Sequence, residues 1–136
     1  DRFINGFLLD TNICVFLFRN KWNIADRLNH VGFEKCFISE ITLAELKYGA
    51  YKSNRTKENL QLIDSFLQKV NVVPFEVGID IFAQTKNSLR LEGLTIEDFD
   101  LLIAASALAW NLTLVTDNIK HFRYIPNLEV INWVDR

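Results

Sequence analysis

The chain has 136 residues, 49% of them hydrophobic and 24% charged, with eleven Phe and three Trp. That length and balance fit one domain with a core of its own and exclude a disordered chain or a small scaffold that needs staples. A net charge of −2 excludes a protein that holds nucleic acid by bulk positive charge, but it allows a site built from carboxylates.

In chain order, Asp1 to Asn5 are set aside as a remnant or disordered segment, because the chain lacks an initiator Met. The first apolar run ends at Asp10 with no small-residue cleavage site after it, unlike a signal peptide. Phe7-Leu8-Leu9 reads as a buried strand, and Ile13 to Phe18 as a helix start. Trp22, Ile24, Ala25 and Leu28 recur at helical spacing. Cys36-Phe37-Ile38 is a second strand, followed by a helix opened by Ser39 and broken at Gly49. Leu60 to Leu67 is helical, and Val70 to Phe75 is β-branched enough to be a strand. Ile79 to Arg90 predicts a helix stopping before Gly93, and the apolar stretch Phe99 to Trp110 predicts a buried one. Leu112 to Thr116 is a strand, Asn118 to Phe122 one helical turn, and Leu128 to Trp133 a last strand.

Short apolar strands alternating with longer helices predict an α/β fold with a mostly parallel sheet. No run of about 18 apolar residues predicts a membrane span. Cys14 and Cys36 lie among apolar neighbours, too far apart for a metal knuckle, and read as buried thiols in a reducing cytoplasm.

Parallel sheets carry their ligands at the carboxyl ends of the strands. Asp10 and Asp117 stand at two such ends. Either acid can equally be a helix N-cap. Glu45 closes a Thr-x-x-Glu capping box if Thr42 starts the helix. A helix starting at Ser39 leaves Glu45 in the second turn with nothing to cap, and this register is favoured because Ser39 directly ends a strand. Asp98 and Asp100 lie about 200° apart around a helix and cannot share one site. With Thr95 as cap, Asp98 takes the third helical position, where the dipole favours an acid. Asp100 then lies beyond the first turn of a helix buried on most sides, where a carboxylate needs a cation.

Carboxylates without a His or Cys cluster suit Mg²⁺ or Mn²⁺ rather than zinc. His30 and His121 read as surface or partly buried residues, not ligands. An acidic site of this kind, without a P-loop or kinase motif, points to phosphodiester hydrolysis. Thr11, Asn12 and Thr116 either orient the acids or serve as turn and cap residues. Lys47, Lys52 and Arg55, in the acid-free stretch Leu46 to Lys57, form either a solvated helix end or an edge that contacts RNA phosphates. The segment Arg19 to Trp22 is a second candidate for substrate choice.

Four segments together resemble the PIN-domain ribonucleases, and among them the VapC-type toxins of bacterial toxin–antitoxin pairs. They are Phe7 to Asn12, Ile38 to Gly49, Asp100 to Leu108, and Leu112 to Asn118 with Phe122. The resemblance spans nearly the whole chain and implies one PIN-like nuclease domain over 1–136, a three-layer α/β/α sandwich. It implies a catalytic quartet of Asp10, Glu45, Asp100 and Asp117. Asp10, Asp100 and Asp117 would hold Mg²⁺ or Mn²⁺, Glu45 would act directly or through water, and Thr116 would support them. Structured RNA, tRNA included, is the implied substrate. A VapB-type antitoxin would lay a segment across the cleft, and a homodimer or toxin–antitoxin hetero-oligomer is the implied assembly. Two departures stand out: Asp98 adds an acid that could assist the site, and Ser106 stands where relatives often carry His.

Two rivals remain. A phosphatase or receiver domain would use Asp10 as nucleophile, but Asn12 stands where such phosphatases want a second acid. A catalytically silent RNA- or protein-binding PIN-like module would tolerate neutral residues in place of the acids.

Overall fold

A computed structural model describes residues 6–136; the reading of Asp1 to Asn5 lies outside the described residues. The elements alternate as predicted. They are β1 (Phe7–Leu9), α1 (Thr11–Phe18), α2 (Ile24–Val31), β2 (Cys36–Ser39), α3 (Glu40–Lys52), α4 (Thr56–Leu67), β3 (Asn71–Val73), α5 (Ile79–Leu91), α6 (Asp98–Ala109), β4 (Thr113–Val115), α7 (Ile119–Phe122) and β5 (Val130–Ile131). The strands form one sheet in the order β3-β2-β1-β4-β5. Every pair is parallel, with Leu8 opposite Phe37 on one side and Leu114 on the other.

The period of two along a strand sends successive side chains to opposite faces. Leu9, Ile38 and Val115 point into one core, which α1 to α4 close with Ile13, Leu28, Leu46, Ile63 and Phe66. Leu8 and Leu114 point into the other, closed by Leu89 of α5, Leu101, Ile103, Ala104 and Ala107 of α6, and Phe122 of α7. One sheet with an apolar layer on each face is the three-layer α/β/α sandwich that was expected. Among the described residues no helix is long and apolar enough to cross a membrane. Cys14 and Cys36 are free and buried, and burial pushes the Cys36 thiol up to about 11.

Several boundaries differ from the sequence reading. The helix expected from Ile13 already begins at Thr11, and the outer strands β3 and β5 are shorter than Val70 to Phe75 and Leu128 to Trp133. Gly49 does not break α3, which runs on to Lys52. The glycine's propensity cost is overridden by packing, because Leu46 and Ala50 on the same helix are both buried. Nothing lies within 4 Å of the place a Cβ would take at Gly49. Gly49→Ala is therefore expected to stabilise the chain by about 0.5–1 kcal/mol. Urea denaturation measures this, and a loss of stability would mean that the helix surface at Gly49 is needed bare.

The start of α6 also moves. Glu97, not Thr95, is the N-cap, and its side chain makes no capping hydrogen bond. Leu94 and Ile96 are partly buried against the second core. Their packing holds the preceding segment non-helical and outweighs the capping preference of Thr95. Asp98 is thus the first helical residue and Asp100 the third, so Asp100 lies within the first turn, not beyond it.

Candidate active site

Strands β1 and β4 lie side by side; Asp10 directly follows β1, and Asp117 follows β4 after Thr116. The ladder continues one step past β1, where the Asp10 amide donates to the Val115 carbonyl at 2.9 Å. Asp10 therefore stands next to Thr116 and Asp117. Asp10 does cap α1: its Oδ1 accepts from the Thr11 amide at 2.8 Å. That bond uses one oxygen. The other, Oδ2, accepts from the Thr116 hydroxyl at 2.8 Å, and Thr116 in turn accepts from the Asn118 amide at 3.1 Å.

Asp10 is only 5% exposed. Burial pushes its carboxyl up from 3.8 to about 6; the hydrogen bonds from Thr116 and Thr11 pull it down, while the nearby charges of Asp100 and Glu45 raise it further. Like charges that act on one another in this way share one neighbourhood.

Glu45 is held from the first helix of the chain. Ser39 caps α3 by accepting from the Thr42 amide at 3.1 Å, so the capping-box register for Glu45 is excluded. Its Oε1 accepts from the Thr11 hydroxyl at 2.6 Å. The Thr11 proton is thereby used, so the 3.1 Å contact between the Thr11 and Thr42 hydroxyls has Thr42 as donor. Thr11 thus links the Asp10 cap to the Glu45 carboxylate.

Asp117 does not cap the turn that follows, since that position falls to Asn118. Its side chain is 15% exposed, and its Oδ2 accepts from Arg136 Nη2 at 3.2 Å. Its Oδ1 is buried with no hydrogen-bond partner. An unsatisfied buried carboxylate oxygen is costly and calls for an explanation.

Asp100 is 26% exposed, more open than the sequence reading placed it, and its Oδ2 lies 3.4 Å from Nδ1 of His121 on α7. Asp98 points elsewhere, to an exposed ion pair with Lys86 of α5 at 2.8 Å. Asn12 is exposed and makes no side-chain hydrogen bond among the described residues. Arg55 is exposed and paired with Glu58, the acid just beyond the acid-free stretch, as a solvated helix end would have it. Lys47 and Lys52 are exposed, with Lys52 Nζ 5.3 Å from the Tyr48 ring centroid.

Sequence reasoning missed three neighbours of the quartet: His121, Thr42 and Arg136. Only the first carried a signal, as one of two histidines in the chain. The other two arrive through tertiary contact. Among the described residues, no group of three or more His, Cys, Asp or Glu side chains is placed to hold a metal ion as the side chains stand.

Comparison with known proteins gives the family and the fold. The PIN domain family matches residues 7–127. The chain is 38% identical to the ribonuclease VapC2 of Rickettsia felis, over 93% of this chain and 97% of that one. It is 35% identical to the tRNA(fMet)-specific endonuclease VapC of Salmonella typhimurium, with the same coverage. Its fold matches a crystal structure of Rickettsia felis VapBC2 bound to a promoter DNA fragment, with a TM-score of 0.87 over 93% of this chain and 98% of that one, at 38% identity.

Proposed function

The chain belongs to the PIN-domain family, and from that membership we propose that it is a metal-dependent endoribonuclease, the toxin of a VapB–VapC-type pair. The observation that carries the chemistry is the buried, unpartnered Asp117 Oδ1 at the same sheet end as Asp10. A hydrogen-bond donor is absent there among the described residues, and a hard cation would satisfy that oxygen. The donor set is oxygen-only, which suits Mg²⁺ or Mn²⁺. Asp10, Asp100 and Asp117 would hold the ion, with Glu45 directly or through water. The ion would supply polarisation of a phosphate oxygen and activation of water.

The chain's own residues prepare that site. Thr116 fixes the Asp10 carboxylate and Thr11 fixes Glu45, so two acids are oriented before any ligand arrives. Lys47 and Lys52 remain candidates for phosphate contact. Asp98, turned toward α5, is at most an indirect contributor.

RNA, tRNA included, is the proposed substrate class, following the relatives' ribonuclease activity. The groove between α1, α3 and α4 is the proposed seat for an antitoxin segment. It has a volume of about 280 Å³, and Val15, Phe18, Leu46 and Leu62 line it as far as Thr11 and Glu45. An apolar trough that ends on two site residues lets one bound segment block the cleft. We place the protein in the cytoplasm as a homodimer or a toxin–antitoxin hetero-oligomer.

The test is cleavage of total cellular RNA by the purified chain. Discrete cuts are expected with Mg²⁺ or Mn²⁺ and none with EDTA. Cutting that survives EDTA would sink the metal mechanism. RNA binding without cutting under any metal would favour the silent binding module.

A further inference from the structure

We propose that Arg136 is a built-in counter-ion of the acidic site, whose guanidinium competes with a divalent cation for Asp117; this rests on the metal-site reading above. Its Nη2 donates to Asp117 Oδ2 at 3.2 Å. The carboxylate is 15% exposed and the guanidinium 55%, so the acid lies in the cleft wall and the cation reaches it from the rim. One Asp117 oxygen is thus countered from within the chain, while the other is buried and unpartnered.

Two further features hold Arg136 there. The first is the loop between α1 and α2. Its Trp22 lies under the guanidinium, with Cζ 4.9 Å from the ring centroid, a cation–π distance. Trp22 has φ 60, and Asn20 and Asn23 beside it have φ 54 and 57. Asparagine tolerates the left-handed region, but a bulky aromatic residue there is an outlier that persists only when its surroundings hold it. The Lys21 amide donates to the Phe16 carbonyl at 2.9 Å and closes the loop onto α1. The strained turn thereby presents the indole to Arg136.

The second feature is the segment after β5. Trp133 is buried against Phe7, with ring centroids 5.1 Å apart, and Arg27 of α2 lies 5.8 Å from the Trp133 ring. The Val134 amide donates to the Asn132 side chain at 2.8 Å. The backbone is therefore pinned three residues before Arg136, and the guanidinium is delivered to Asp117 by a fixed stem.

A fixed positive charge beside a cation site opposes the incoming cation, and it offsets the mutual repulsion of the acids when no cation is bound. Removing it reverses both effects. Mn²⁺ binding to the chain, measured by calorimetric titration, is expected to be about 3- to 10-fold tighter in Arg136→Gln than in wild type. Arg136→Lys keeps the charge and is expected to stay within about twofold of wild type. The gain in Arg136→Gln is expected to shrink at about 0.5 M salt. In EDTA, Arg136→Gln is expected to melt a few degrees below wild type. Unchanged or weaker Mn²⁺ binding in Arg136→Gln, with wild type binding normally, would overturn the counter-ion and leave the metal site standing. Absence of Mn²⁺ binding in both chains would instead remove the metal site itself.

Discussion

Asp10→Asn is expected to abolish RNA cleavage and, in the same molecule, to raise the melting temperature of the metal-free protein. The reason is the position of Asp10 between two strands' ends, with 5% of its surface exposed. Its carboxyl is pushed up from 3.8 to about 6, chiefly by burial. A raised acid pKa means that between about pH 4 and 6 the folded chain holds a proton that the unfolded chain has released. Stability therefore falls as pH rises through that window, and stays reduced above it. The penalty at neutral pH is on the order of 3 kcal/mol. Asparagine carries no charge to desolvate, and its carbonyl oxygen still accepts a hydrogen bond. The gain is expected to be roughly 5–10 °C, with at least about a hundredfold loss of cleavage. Thermal unfolding in EDTA at pH 5 and pH 7.5 measures it. The difference between those two pH values is expected to narrow in Asp10→Asn. A variant that melts below wild type at pH 7.5 would show that the hydrogen bonds to Asp10 outweigh its burial.

The second large effect separates two acids only two positions apart. Asp100→Asn is expected to lose at least about a hundredfold in cleavage, while Asp98→Asn stays within about twofold. Asp98 is an exposed partner of Lys86 on α5, and such surface pairs contribute about 0–1 kcal/mol. Asp100 faces His121 and adds to the charge that raises the Asp10 pKa. Its neutralisation is thus expected to move the Asp10 carboxyl downward in the metal-free protein, which carboxyl NMR titration reads without any assay of cleavage. If Asp98→Asn were the inactive variant, the assignment of faces on α6 would be wrong.

The positions of the four acids in the fold were legible because each stands in a recognisable local pattern. Asp10 and Asp117 close apolar β-branched or leucine runs, and a parallel sheet places such positions at one end. Glu45 follows a serine that ends a strand, so the helix register was open to argument and Ser39 decided it. The face of Asp98 was also readable, because a separation of two residues in a helix divides their partners. The capping of α6 was not readable: Thr95 has the better side chain, but Leu94 and Ile96 have somewhere to be buried. Gly49 misled for the same reason, since its helix is held by Leu46 and Ala50.

By itself, the sequence determined what depends on residue type and local period. That includes the alternation of strands and helices, the parallel sheet with a core on each face, and the placement of Asp10 and Asp117 beyond the carboxyl ends of β1 and β4. Tertiary structure alone decided what depends on residues far apart in the chain. Thr11 supports Glu45 across 34 positions and Thr116 supports Asp10 across 106. Arg136, beyond β5 in the chain, reaches Asp117. Local patterns report the face on which a side chain lies, because backbone geometry fixes it. Its hydrogen-bond partner is set by which elements pack together, and that is the outcome of burying two apolar layers at once.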